Sequence, residues 1–384
     1  MISQEAENSR RTIEAYIDLT DRLEREGLLT RDIEFLPSTE DMTQRSREGK
    51  GMSRPEIAVL LAYAKMSLTE HLRVSTLPDD EHFVPDLLAY FPPSIVERFG
   101  HLILDHPLRR ELISTIVANQ VLNSQGSTYY SRMRTVSGSS AAMIVRTYRI
   151  ARAVTDASSR WQAVEELGAS VRPETARIML QDIDLLVTLV SRWYLMQSQT
   201  LGIDEEIAAA KEDFARLSDG FPNLGPAEWR EPYERAASDL IAQGVPADLA
   251  VRHAYQRVLR RGPDIVDLAN RFDRDVMDVA EIYTQASQEF MIGWIERQIR
   301  LLPGTTAFDR LAIAALRDDL QILRREVVSA ILSEADGSID AFIDANDRVM
   351  PRIERWHRWL ARDGILDVSA GFIATRRLHQ ILVP

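Results

Sequence analysis

Apolar residues recur along this chain at intervals of three and four, and the recurrence predicts a succession of amphipathic helices. The segment 53–72, SRPEIAVLLAYAKMSLTEHL, is the clearest. Ile57, Leu60, Leu61, Ala64, Leu68 and Leu72 fall on one face of it. Ser53 is placed to cap the helix, Pro55 lies in the first turn, and Glu56 stands three residues after Ser53, the spacing of a capping box. The same periodicity predicts helices over 174–195, 275–299 and 307–335. In 275–299 the expected cap is Asp275, and Val276, Val279, Ala280, Tyr283, Phe290 and Trp294 form the expected buried stripe. Pro351 should end or kink the helical pattern of 344–361, because it lacks the N–H that a helix interior needs. Between the helices stand short stretches such as LPSTED, YFPPS, SGSSA and GVPADL, which supply stops and caps. Sustained period-two alternation is missing. The expected fold class is therefore all-α, a multi-helix bundle-like body without significant sheet.

Two polar stretches, 197–206 and 218–229, interrupt the pattern. They suggest two helical lobes, 1–200 and 201–384, with the boundary somewhere in 197–229. A length of 384 residues suits two ordinary domains or one large helical body.

One helix carries polar residues where a core face would be apolar. In HPLRRELISTIVANQVLNSQG, 106–126, Leu108, Leu112, Thr115 and Asn119 share a face and Asn123 continues it, with Gly126 as the stop. A buried amide is costly unless it is hydrogen-bonded. The expectation is that Asn119 and Asn123 are structural polar bridges to a neighbouring helix. A ligand-binding role is the alternative, since neither amide is an acid or a base.

Composition narrows the chemistry. Hydrophobic residues are 45% and charged residues 27%, and the formal net charge is −12. An acidic chain repels phosphate backbones, so no nucleic-acid partner is expected. No cysteine occurs, which removes disulfides, thiolate nucleophiles and Cys-based metal sites. No run approaches a membrane span, and the first residues lack the apolar core of a signal peptide, so a cytoplasmic chain without a membrane partner is expected. The glycine-rich phosphate loops are absent; GKGMSR at 49–54 fails at the third glycine. The acidic run DDEH, 79–82, reads as the solvated first turn of a helix. SGSSA is no nucleophile elbow, and Ser139 or Ser140 suits the cap of the helix bearing Ile144, Tyr148 and Ala151. Four arginine pairs, 109–110, 260–261, 324–325 and 376–377, could hold carboxylates or phosphates, with salt bridges to the many Asp and Glu side chains as the default. These residues point to no catalytic, cofactor-binding or metal-binding group in the chain.

Several long segments resemble one family. LEREGLLTRDIEFLPS, GMSRPEIAVLLAYAKMSL, YFPPSIVERF, HPLRRELISTIVANQVLNSQGSTYYSRM, GVPADLA, DIVDLANRFDRDVMDVAEIY and RLAIAALRDDL are similar, in this order, to the C-terminal region of the large-type NAD-specific glutamate dehydrogenases of bacteria. The resemblance covers essentially the whole chain. It implies a parent several times longer, which oxidatively deaminates L-glutamate to 2-oxoglutarate with NAD as hydride acceptor. It places the catalytic lysines, the catalytic aspartate and the dinucleotide fold upstream of this region. No family catalytic residue therefore maps onto it, and Met1 is expected not to be the natural start. The expected partners are the remainder of the parent dehydrogenase and further copies of the full-length protein. The expected role is accessory: assembly, interdomain packing or regulation. An autonomous helical module that binds a ligand or a protein is the alternative.

Overall fold

The structure, a computed structural model, describes residues 2–197, 201–304, 307–365 and 367–383, apart from the side chains at 11, 307, 310 and 363. It is helical, and no strand occurs among the described residues. Part of the window expected to divide the chain, 198–200, lies outside them. The chain divides into two compact units: 1–212 with 243–245, and 213–242 with 246–384.

The first unit contains α1 (Ile2–Arg25), α2 (Thr39–Arg47), α3 (Arg54–Arg73), α4 (Val84–Ala89), α5 (Pro93–Leu104), α6 (Arg109–Gln125), α7 (Tyr129–Ser137), α8 (Ala141–Val154), α9 (Ala157–Glu165) and α10 (Pro173–Leu195). The point of division falls within α11 (Ile203–Gly220). The core of the first unit forms where α3 packs on α1 and α6, and where α8 packs on α10. The capping box of α3 is present: Ser53 accepts from the Glu56 N–H, and Glu56 accepts from that of Ser53. All six residues of the predicted stripe, Ile57 to Leu72, are buried. Ser140 caps α8 through the Met143 N–H. Asp80, in the acidic run, accepts from His82 and starts a short 3-10 turn ahead of α4.

The second unit contains α12 (Ala227–Ala242), α13 (Ala247–Leu259), α14 (Gly262–Phe272), α15 (Val276–Glu289), α16 (Ile292–Arg300), α17 (Ala307–Glu334), α18 (Ile339–Ala345), α19 (Val349–Asp363) and α20 (Val368–Leu382). Its axis is α17, against which α14, α15, α16, α18 and α20 pack. Ile313, Leu316, Leu320, Leu323, Val327 and Ile331 bury the stripe that makes this possible.

Two sequence expectations change here. The predicted helix 275–299 is two helices: α15 ends at Glu289, and Met291 takes a left-handed conformation, φ 61°, before α16 begins. Periodicity passes over this break because Phe290 and Ile292 are both fully buried on either side of it. Both halves pack on α17, while α15 also reaches α14 and α16 reaches α20. The pattern at 344–361 also divides, but ahead of the proline. α18 ends at Ala345, and Pro351 sits in the first turn of α19, where its missing N–H leaves nothing unpaired.

Candidate functional site: two polar clusters within the helices

In the first unit the polar residues of α6 lie otherwise than the sequence suggests. The buried face is Ile113, Ser114, Val117, Ala118, Val121 and Leu122. Leu108 and Thr115 are exposed, Asn119 is half-buried and Asn123 is exposed. Neither asparagine side chain makes a hydrogen bond among the described residues. Asn119 and Asn123 are therefore not the structural bridges expected. The helix turns its 113–117–121 face toward α3, and at 100° per residue that carries the 115–119–123 face outward.

The bridging residues are the next polar ones. Gln120 donates to Asp86 Oδ1 at 2.6 Å and accepts from Arg149 Nη1 at 2.7 Å. Arg149 Nη2 donates to Asp86 Oδ2 at 2.7 Å, and Arg149 Nε donates to His82 Nε2 at 3.2 Å. With Nε2 accepting, His82 carries its proton on Nδ1 and donates it to Asp204 Oδ1 at 2.7 Å. Ser124 meets the Tyr148 hydroxyl at 2.7 Å, and Gln125 accepts from Thr188 at 2.7 Å. The network joins α4, α6, α8 and the start of α11. Its imidazole already has a partner on each nitrogen, so the arrangement holds helices together and offers no base for proton transfer.

The second unit holds a more unusual group. Glu296, on α16, is buried, and four guanidiniums surround it. Arg261 and Arg324 each donate to Oε2 at 2.8 Å. Arg260 donates to Oε1, and Arg300 stands 3.6 Å from the same oxygen. Burial opposes the charge of Glu296, but Arg261, Arg324 and Arg260 outweigh it and hold the carboxyl well below the ordinary range. Buried Asp264 lies beside the group and accepts from Tyr283 at 3.2 Å and Gln321 at 2.7 Å. Burial, with Asp264 adding to it, pushes the Tyr283 phenol up, so it stays a neutral donor. Arg325 pairs outside the cluster with Asp267.

The salt-bridge default for the arginine pairs thus describes Arg260, Arg261, Arg324 and Arg325. Arg110 likewise pairs with Asp79, while Arg377 donates to Gln380 at 3.2 Å. Sequence reading missed Glu296 itself, although a signal was present. Glu296 follows Ile295 on a helix whose buried residues are Ile292, Ile295 and Ile299, and Arg324 follows Leu323 on the buried stripe of α17. A charge on an apolar stripe has to be paired.

Among the described residues no group of three or more His, Asp or Glu side chains that could hold a metal comes together. No helix there is long and apolar enough to cross a membrane.

Comparison with known proteins places the chain among larger ones. The family model described as glutamate dehydrogenase, C-terminal, matches residues 49–380. The NAD-specific glutamate dehydrogenase of Pseudomonas aeruginosa is 30% identical over 356 residues, which cover 92% of this chain and 22% of that protein. The protein of the same name from Halomonas elongata is 28% identical over 348 residues, covering 91% and 21%. That of Mycobacterium tuberculosis is 28% identical over 360 residues, covering 92% and 22%. The chain spans about a fifth of the length of the curated relatives it matches.

Proposed function

Because this chain belongs to the glutamate dehydrogenase C-terminal family, we propose that it is the accessory helical domain of an NAD-dependent glutamate dehydrogenase. On this reading the parent oxidatively deaminates L-glutamate to 2-oxoglutarate, with the NAD site and the reacting groups elsewhere in that protein. The domain contributes through assembly and interdomain packing, and its partners are the rest of the parent and further copies of it.

The observation that carries this role is α5. A helix of 12 residues is marginal in water unless it buries an apolar face. Yet α5 has one buried side chain, Ile103. Ile95, Phe99 and Leu102, at helical spacing on one face, are exposed, and Tyr90 just before the helix is exposed as well. Ile33 and Phe35, on the turn after α1, are also exposed, 70% and 92%. Phe35 is held there at φ 52°, a conformation that disfavours any residue with a side chain. Apolar faces of this kind mark docking surfaces.

The test uses Phe99→Asp with Leu102→Asp. In the full-length dehydrogenase the pair should lower turnover or dissociate the oligomer. In the isolated chain it should change stability by no more than about 0.5 kcal/mol, as for other exposed positions. Full turnover and an intact oligomer in the double variant would overturn the packing role. Glutamate-dependent NADH formation by the isolated chain would overturn the accessory reading altogether.

A further inference from the structure

The Glu296 cluster contains more cations than its own carboxylates balance. Four guanidiniums, those of Arg260, Arg261, Arg300 and Arg324, meet one carboxylate. Counting Asp264 as a second anion still leaves an excess of positive charge. The ends of α13 at Leu259 and α16 at Arg300 offset part of it, about half a charge each, and the centre stays positive. Acceptors are short as well. Arg261 Nε and Arg324 Nε are buried donors without a hydrogen-bond partner, on side chains only 9% and 3% exposed. An unpaired buried guanidinium N–H is costly, and so is uncompensated buried charge.

The cluster is closed on one side and open on the other. Arg261 and Arg324 form its interior, whereas the Arg260 side chain is 35% exposed and that of Arg300 is 55% exposed. Both outer arginines reach the same oxygen of Glu296, so their guanidiniums are close enough for one small ligand to touch both. Arg300 makes no hydrogen bond with its side chain among the described residues, and Arg260 spends only Nη2 on Glu296. Burial and the three neighbouring arginines push Arg260 down to about 10, against the pull of Glu296.

We infer that the rim formed by Arg260 and Arg300 over Glu296 binds a small oxyanion, a carboxylate or a phosphate. The outer arginines supply paired N–H donors in the planar geometry that oxyanions fit. The buried Arg261 and Arg324 supply the field behind them. This assignment stands independently of the accessory role, because it rests on the charges of the second unit alone.

The isolated chain is titrated with inorganic phosphate and, separately, with succinate, at constant ionic strength made up with chloride. Heat and the Nε–H resonances of the arginines are followed. Saturable one-to-one binding is expected for at least one of the two, with the Arg260 and Arg300 signals moving. Arg300→Gln, at an exposed position, should weaken it by about tenfold or more, as expected for the loss of a charged hydrogen bond. Arg260→Gln should do the same, and Arg377→Gln, outside the cluster, should leave it unchanged. Binding of phosphate alone identifies a phosphate site, of succinate alone a carboxylate site, and of both a general oxyanion site. No saturable binding of either anion above chloride overturns the assignment. So does binding that Arg300→Gln leaves intact.

Discussion

Asp184 shows how burial rather than charge pairing can govern a single residue. It lies on α10, half-buried, and accepts a hydrogen bond from the indole of Trp161 at 3.0 Å. Burial pushes its carboxyl up to about 7, against that hydrogen bond. The folded state therefore holds this proton more tightly than the unfolded chain. The stability it contributes is complete below the ordinary 3.8 and is lost as the pH rises from there to about 7. Asp184→Asn keeps an acceptor for the indole and removes the buried charge. The variant should melt above the unaltered chain at about pH 8, and the gap should close toward about pH 4; melting curves at several pH values check this. On α6, Asn119→Leu should change stability by no more than about 0.5 kcal/mol. Gln120→Leu strands Asp86 and Arg149 and should cost about 1–3 kcal/mol. Urea unfolding of the two variants distinguishes an amide without hydrogen bonds from a bridging one.

At the scale of the element, helix ends decide more than helix middles. The box of Ser53 and Glu56 closes two otherwise unpaired N–H groups at the start of α3, the helix that packs on α1, α6 and α8. Ser53→Ala should cost about 1 kcal/mol, measured as a shift of the urea midpoint at unchanged slope. These ends were legible because a cap is a local arrangement of three or four residues. The face of α6 was legible too. The stripe of Ile113, Val117, Ala118, Val121 and Leu122 is the more apolar one on it, and it is the one buried where α6 packs on α3. The break at Met291 was hidden: apolar residues on both sides of a turn that is itself buried look continuous with a helix.

At the scale of the whole molecule, the Glu296 cluster ties α13, α14, α16 and α17 together within the second unit. Its carboxyl is held below the ordinary 4.5, so its contribution to stability is present above that value and is lost as the pH falls through the folded value. Glu296→Gln leaves Arg261 and Arg324 buried without a counter-charge. The expected cost is about 3–5 kcal/mol near neutral pH, and the acid-induced loss of stability below about pH 4.5 should be smaller in the variant. Chemical unfolding at neutral and acid pH measures both.

The sequence by itself determined the helical class, the stripe that buries α3, the caps at Ser53 and Asp275, and family membership. All of these are encoded within single segments, by spacing along one helix or by long runs of similar residues. Only the tertiary structure decided that Gln120 rather than Asn119 bridges, that Glu296 gathers Arg260 and Arg261 from one distant segment and Arg324 from another, and that the apolar face of α5 stays uncovered in this chain. Those depend on which helix lies beside which. The partners of a buried charge or an apolar face lie dozens of residues away, and no local pattern carries that distance.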